Sequence, residues 1–202
     1  MSESPLSDIV YGPVPSRRLG RSLGVNNIPP VYCTYSCVYC QLGRARRMGT
    51  ERRGFYDPES VLRQVEEKIG RVQVEGGSID YISFVPDGEP TLDAGLGRMI
   101  RMLKRTGIRV AVITNSSLLS EDEVRDDLME ADWVSLKADT AVERTWRMIN
   151  RPHSSLELEK IHKGMMDFSR NYTGCLATET MLVKGINTGE NEFRAAADFI
   201  RG

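Results

Sequence analysis

The sequence lacks any hydrophobic stretch long enough to cross a membrane. No run of about 18 apolar residues occurs, which is the length that a membrane-spanning helix needs. The first eight residues, Met1 to Asp8, also lack the basic and apolar regions of a secretory signal. Of the 202 residues, 40% are hydrophobic and 27% charged, as in ordinary globular proteins. These absences argue against a transmembrane helix and predict a cytoplasmic protein that folds as a single domain over residues 1–202.

Cysteine and histidine are scarce, with four and two copies. Three of the cysteines, Cys33, Cys37 and Cys40, fall within eight residues, and Cys175 stands alone. A disulfide framework would spread its cysteines and is not expected in a reducing cytosol. The clustered thiols therefore predict a metal site, whereas Cys175 is predicted to be a small buried hydrophobe.

The clustered cysteines form a C-x3-C-x2-C run. Three thiolates on one loop can bind three irons of a [4Fe–4S] cubane, whereas electron-transfer clusters use four cysteines. The fourth iron is then open to another ligand. Structural zinc is an alternative, but it needs a fourth ligand, and neither Cys175 nor His153 lies at motif spacing. Chance clustering of buried thiols is the third alternative, and the spacing rules favour the iron–sulfur cluster.

Predicted strands alternate with helices along most of the chain. The strands cover residues 22–28, 79–85, 108–114, 133–137 and 175–183, and residues 1–21 are predicted to be an irregular lead-in. This order indicates an α/β fold with a parallel sheet and right-handed crossovers. About five βα units are too few for a closed eight-stranded barrel. The alternatives are an open partial barrel and a doubly wound sheet.

Three helix starts carry capping signals. Asp57 is predicted as an N-cap with Pro58 at the first helical position. Capping boxes are predicted at Ser120 with Glu123, and at Ser154 with Glu157.

Polar side chains follow the predicted strands, where parallel sheets bind ligands. The second strand is followed by the segment 86–90, Pro-Asp-Gly-Glu-Pro, and Asn115 follows the third. Ser135 and Asp139 lie at the end of the fourth strand, and Val183 ends the fifth. Asn115 and Asp139 could instead cap the helices that follow them.

The cysteine loop, with the aromatic Tyr39 before its third cysteine, resembles the radical S-adenosylmethionine (SAM) superfamily, and the resemblance covers nearly the whole chain. It implies a partial (β/α) barrel, a [4Fe–4S] cluster on the three clustered cysteines, and SAM as the second cofactor. Gly88 and Glu89 match the family's Gly-Gly-Glu-type motif, which binds the SAM amino group, and Asp87 replaces the first glycine. The resemblance further implies cofactor contacts at Tyr39 and at the strand-end residues named above: Asn115, Ser135, Asp139 and Val183.

The resemblance also implies an activity. Family members reductively cleave SAM to a 5′-deoxyadenosyl radical that abstracts hydrogen from the substrate, and a flavodoxin or ferredoxin is the implied reductant protein. The residues that act on the substrate are not predicted. The family would have a sixth βα unit, which is missing after the fifth. The alternatives are an unusually short barrel, completion by a partner and a truncated chain. The open alternatives are a non-catalytic iron–sulfur electron-transfer or binding module and a zinc-stabilised RNA-binding domain.

A narrower resemblance concerns residues 11–18 and 37–43. These segments resemble a branch related to the wyosine-synthesis enzymes, which modify a guanosine in transfer RNA. Residues 1–55 also carry eight arginines and only three acidic residues, which is a candidate footprint for transfer RNA. The plainer interpretation is a solvated face, or arginines paired with carboxylates elsewhere. The eight are Arg17, Arg18, Arg21, Arg44, Arg46, Arg47, Arg52 and Arg53.

Overall fold

The computed structural model describes residues 9–201, which form eight strands and six α-helices. The strands are β1 (Val10–Ser16), β2 (Gly20–Val25), β3 (Tyr32–Cys33), β4 (Arg47–Met48), β5 (Tyr81–Phe84), β6 (Arg109–Thr114), β7 (Trp133–Lys137) and β8 (Cys175–Glu179). The helices are α1 (Pro58–Val74), α2 (Leu96–Lys104), α3 (Asp122–Met129), α4 (Glu143–Ile149), α5 (Leu158–Asn171) and α6 (Glu190–Arg201). Within these residues, none of the helices combines the length and apolarity of a bilayer span.

Six strands form one sheet in the order β1-β2-β5-β6-β7-β8. Strand β1 pairs antiparallel with β2, and every other neighbouring pair is parallel. Each crossover adds the next strand beside the previous one, without the reversal of order that defines a doubly wound sheet. This is the winding of a barrel. The predicted α/β partial barrel is therefore confirmed, with five parallel strands for the five predicted βα units.

The prediction of an irregular lead-in over residues 1–21 is wrong where the structure describes it. Residues 10–16 form strand β1, and β2 begins at Gly20. The prolines of this segment indicated a loop, but β1 is an edge strand, where missing backbone donors are tolerated. Gly20 has a φ of 62°, a left-handed conformation that suits the tight turn between the two strands. Residues 1–8 lie outside the described part.

Several element ends differ from the predicted ones. Strand β8 ends at Glu179, so Val183 lies beyond it. The N-cap at Asp57 forms, with its carboxylate 3.0 Å from the Ser60 backbone nitrogen. Neither predicted capping box forms, because α3 and α5 begin after Glu121 and Glu157, without a side-chain cap. In both cases the serine lies in a turn before the helix.

The two faces of the sheet differ in side-chain size. The face under the helices carries large, fully buried residues, among them Leu23, Ile82, Phe84, Val112 and Val134. Each such side chain contributes about 1.5–3 kcal/mol when buried, so this face provides most of the core energy. The opposite face carries the large side chains of Tyr81 and Trp133 together with a set of small residues. The small residues are Ser22, Ser83, Ala111, Ser135 and Ala177. Small side chains leave room for a cavity on the concave side.

The turn between β1 and β2 lies across the concave face. Leu19 packs there against Tyr81, Ala111 and Trp133. Arg18 from the same turn forms an ion pair with Glu179 at the end of β8. The turn therefore connects the first hairpin to the last strand of the open sheet.

Candidate functional site

The three clustered cysteines line one cavity of about 680 Å³ at the carboxyl ends of the parallel strands. Cys33 ends β3, and Cys37 and Cys40 follow in the adjoining loop. Tyr39 and Gly88 also line the cavity. The volume falls in the range of cofactor and small-molecule sites, roughly 300–1,000 Å³. The structure thus brings the three thiols to one site at the expected edge of the sheet.

The cysteine loop is held by the turn after α4. The backbone nitrogen of Ser36 donates to the Asn150 carbonyl at 3.0 Å, and that of Val38 to the Ile149 carbonyl at 2.9 Å. On its other side, Tyr35 is buried against Trp146, whose indole nitrogen lies 3.1 Å from the Tyr35 hydroxyl. These contacts fix the loop against the helical layer.

Gly88 is required by a close approach between two backbones. Glu89 donates its N–H to the Tyr32 carbonyl at 3.2 Å, one residue before Cys33. A Cβ at Gly88 would lie 2.0 Å from that same carbonyl oxygen, closer than any real contact. The Gly88 segment therefore supports the start of the cysteine loop, and only glycine fits there.

The Glu89 side chain points into the protein and does not line the cavity. It is 1% exposed, and one carboxylate oxygen accepts from the hydroxyls of Thr91 and Thr114, both at 2.6 Å. The other oxygen accepts from the Asn115 backbone nitrogen at 2.7 Å. Burial raises the pKa of Glu89, and these hydrogen bonds oppose the rise. The carboxylate thus joins the segment after β5 to the end of β6.

Two asparagine amides reach the cysteine sulfurs. The side-chain nitrogen of Asn115 lies 3.5 Å from the Cys33 sulfur, and that of Asn150 lies 3.4 Å from the Cys37 sulfur. Asn150 was not predicted. Asn150 follows helix α4 and not a strand. The expectation that ligand-binding residues follow the strands of a parallel sheet therefore does not point to it.

Tyr39 and Asp139 meet beside the cavity. The Tyr39 hydroxyl donates to the Asp139 carboxylate, which also accepts from Asn150 at 2.7 Å. The amine of Lys137, in the cavity wall, lies 3.8 Å from that carboxylate and 5.0 Å from the centre of the Tyr39 ring. Burial raises the pKa of Tyr39, and the nearby Cys37 and Asp139 side chains raise it further, so its hydroxyl remains a donor.

Ser135 and Asn26 carry buried oxygens without a partner. Within the described part of the chain, neither the Ser135 hydroxyl nor the Asn26 side-chain oxygen makes a hydrogen bond. Ser135 lies on the concave face, and Asn26 lines the cavity. Asn26 was missed because the first strand was predicted to run to residue 28, whereas β2 ends at Val25. Buried polar atoms without partners are uncommon, which marks both as candidate ligand contacts.

Val183 does not line the cavity, and Met181 does. Val183 instead lies in a turn in which its backbone nitrogen donates to Asn187 at 2.7 Å. The prediction for Cys175 is wrong, because this residue is exposed on β8. Strand β8 is at the edge of the sheet and its residues are only partly covered.

The chemistry of the cysteines fits a cluster. Burial raises the pKa of Cys33 to about 12 and also raises that of Cys37, so these thiols stay neutral until cations bind. Over residues 9–201, no three His, Cys, Asp or Glu side chains converge closely enough to bind one metal ion. A [4Fe–4S] cubane does not need three side chains on one metal ion, because each thiolate binds its own iron. The three sulfurs in one cavity wall, two of them near amide donors, meet that requirement.

The predicted arginine segment divides into two groups. Arg52 pairs with Asp127, Arg53 stacks over Phe55, and Arg18 pairs with Glu179. The plainer interpretation of pairing with carboxylates holds for Arg18 and Arg52, whereas Arg53 contacts an aromatic ring.

One of the other arginines of this segment lines a second hollow. Arg44, Arg46 and Arg47 are exposed. Arg44 lines a hollow of about 500 Å³ together with Arg147 and Arg151. Ser36 lies in the walls of both this hollow and the cysteine cavity, so the two are adjacent.

Comparison with known proteins connects this geometry to a family. Residues 27–200 match the radical SAM superfamily. The chain is 50% identical over 193 residues to a UPF0026 protein of Methanocaldococcus jannaschii, covering 96% of this chain and 60% of that protein. It is 36% identical over 195 residues to a UPF0026 protein of Synechocystis, covering 95% and 71% of the two chains. The chain thus spans about 60% of the length of the first of these relatives.

Among solved structures, the fold is similar to that of TYW1 with a lysine–pyruvate adduct bound. The TM-score is 0.63 with 17% identity, over 89% of this chain and 61% of that one. At this identity the similarity supports the fold alone.

Proposed function

Because this chain belongs to the radical SAM superfamily and the UPF0026 family, we propose that it is an enzyme in which Cys33, Cys37 and Cys40 hold a [4Fe–4S] cluster and SAM binds beside it. A [4Fe–4S] cluster and SAM are the cofactors of the superfamily. The observation that carries the assignment is the convergence of all three cysteines on one cavity. Bound together, these cofactors supply one-electron cleavage of SAM and hydrogen abstraction from a substrate carbon.

We distinguish residues that contact SAM or the substrate directly from residues that hold those contacts in place. Tyr39, Gly88 and Asn26 line it, and we assign them direct contact with SAM or substrate. Ser135 offers an unpartnered hydroxyl on the concave face, where a ribose or substrate hydroxyl could satisfy it. Val183, at the start of the turn that its backbone nitrogen forms with Asn187, remains a predicted cofactor contact.

Three other residues are proposed to position the groups that contact the cofactors. They are Glu89, Asn115 and Asp139. Glu89 fixes the end of β6, Asn115 reaches the Cys33 sulfur, and Asp139 orients Tyr39. Such supporting hydrogen bonds hold metal and cofactor contacts in place.

The test is production of 5′-deoxyadenosine. Protein reconstituted anaerobically with iron and sulfide is incubated with dithionite and SAM, and the products are separated by chromatography. We expect deoxyadenosine from the wild type and none from Cys37→Ala. A wild type with full iron and sulfide content that yields no deoxyadenosine would contradict the proposal.

Two further measurements separate the alternatives. A SAM-induced change in the EPR spectrum of the reduced cluster is expected of this enzyme and not of an electron-transfer module. Zinc without iron or sulfide in anaerobically purified protein would favour a zinc-stabilised RNA-binding domain.

For the substrate, we propose a transfer RNA base. The resemblance to the wyosine-synthesis branch supports it, as does the arginine-lined hollow next to the cysteine cavity. Guanidinium groups suit phosphate oxygens, and their binding to a polyanion is salt-dependent.

Filter binding of bulk transfer RNA at about 50 and 200 mM salt tests this proposal. We expect weaker binding at high salt, and weaker binding by Arg44→Ala and Arg151→Ala than by the control Arg105→Ala, an exposed arginine that lines neither cavity. Affinity that does not change with salt would contradict it.

The electron donor is a proposed partner, a flavodoxin or ferredoxin. The cysteine loop is accessible to it, because Cys40 is exposed. A cytoplasmic location, where such donors are found, is part of the same proposal.

A further inference from the structure

We propose that Asn115 and Asn150 are positioning residues that raise the reduction potential of the cluster, each by donating an amide N–H to a different cysteine sulfur. The inference deepens the proposed function and rests on its assignment of the three cysteines. It concerns residues of this chain alone, and its test does not require SAM.

Asn115 is oriented toward Cys33 by bonds on its other atoms. Its side-chain oxygen accepts from the Ser117 backbone nitrogen at 3.0 Å, which directs the amide nitrogen to the opposite side. That nitrogen lies 3.5 Å from the Cys33 sulfur and 2.8 Å from the Thr34 hydroxyl. The Asn115 backbone is itself fixed by Glu89. The amide therefore has one preferred direction, and the sulfur lies in it.

Asn150 is fixed from both its backbone and its side chain. It is 2% exposed, and its carbonyl accepts from Ser36 in the cysteine loop. Its amide nitrogen lies 2.7 Å from the Asp139 carboxylate and 3.4 Å from the Cys37 sulfur. One amide thus connects the loop to a buried carboxylate, which restricts its rotation.

The two donors act on the charge of the cluster. Reduction adds an electron, and part of the added charge lies on the thiolate sulfurs. A buried N–H that points at a sulfur stabilises this charge, so it favours the reduced state and raises the potential. Cys40 is exposed, so water molecules can donate hydrogen bonds to its sulfur. The two partly buried cysteines are the ones whose sulfurs lie near side-chain amides.

The test is a redox titration of the reconstituted cluster without SAM, followed by EPR. The variants are Asn150→Leu, which keeps the branched shape and the number of heavy side-chain atoms, Asn115→Ser, which keeps a capping oxygen for Ser117, and the double variant. The control is Asn27→Ser, a fully buried asparagine whose amide binds the Pro90 carbonyl at 3.0 Å and no sulfur. Iron and sulfide content is measured for each protein.

We expect a more negative potential in each single variant, a larger shift in the double variant, and no shift in the control. Potentials equal to that of the wild type in variants with full clusters would overturn the proposal. If neither single variant holds a cluster, the two amides are structural, and the redox role is likewise overturned. A wild type that forms no deoxyadenosine would contradict the proposed function but leave these potentials measurable, so the two failures can be told apart.

Discussion

Tyr39 donates its hydroxyl to the carboxylate of Asp139, a residue one hundred positions away in the chain. The bond connects the cysteine loop to the end of β7. The same carboxylate accepts from the backbone nitrogen of Met181 beyond β8 at 2.7 Å. Three segments that surround the cavity therefore meet at one buried carboxylate.

Replacing Tyr39 by phenylalanine should destabilise the fold by about 2 kcal/mol, because a buried charged acceptor loses one donor. The matched control is Tyr172→Phe, which removes a hydroxyl bound to the Ala131 carbonyl at 2.8 Å and should cost about 1 kcal/mol. Urea unfolding of both variants measures the difference. Equal costs would show that the Asp139 bond has no special contribution.

The four cysteines should separate into two classes. Replacing Cys33, Cys37 or Cys40 by alanine should abolish iron and sulfide binding, since a cluster with two thiolate ligands is poorly held. Cys175→Ala should bind iron as the wild type does, because Cys175 is exposed on the edge strand. Iron and sulfide analysis with visible absorbance decides this, and retention of a full cluster by any of the first three variants would contradict the ligand assignment.

Two glycine-to-alanine substitutions should have opposite signs. Gly88→Ala should destabilise by about 3 kcal/mol or more, since its Cβ would collide with the Tyr32 backbone. Gly70→Ala, inside α1 with no atom near the added Cβ, should stabilise by about 0.5–1 kcal/mol. Thermal and urea unfolding test both, and a neutral Gly88→Ala would show that the backbone approach is not close.

The pH dependence of stability should carry a contribution from Asp93. Burial raises the pKa of Asp93 from 3.8 to about 6, against hydrogen bonds from Gly95 and Asn27. The folded state therefore holds this proton more tightly than the unfolded state. The stabilisation is fully present below about pH 4 and is lost as pH rises through about 6.

The neutral variant Asp93→Asn lacks this dependence. The free energy of unfolding of the wild type relative to that of the variant should fall by on the order of 2 kcal/mol between pH 4 and 7. Urea titrations at several pH values measure it. Parallel pH profiles of the two proteins would rule the contribution out.

The alternation of strands and helices made the fold predictable, and the cysteine spacing located the cavity. Both are local patterns, and strand β7 was predicted to the residue. Strand β1 was missed because its prolines resemble a loop, and only its place at the sheet edge makes them tolerable.

The orientation of site side chains could not be read from the sequence. Glu89 was predicted as a cofactor contact, and no sequence pattern indicates that its carboxylate accepts from Thr114, a partner 25 positions away. Asn150 was missed for the same reason, because its role depends on the approach of α4 to the cysteine loop. Contacts between distant segments are set by tertiary packing, which no local motif encodes.

The pairing of Arg18 with Glu179 has a mechanical consequence for the open side of the sheet. Both side chains are partly in water, at 52% and 28% exposure. Such a pair contributes only about 0–1 kcal/mol. Thermal motion is therefore sufficient to break this ion pair, and the turn between β1 and β2 is then held to the concave face by the packing of Leu19 against Tyr81, Ala111 and Trp133.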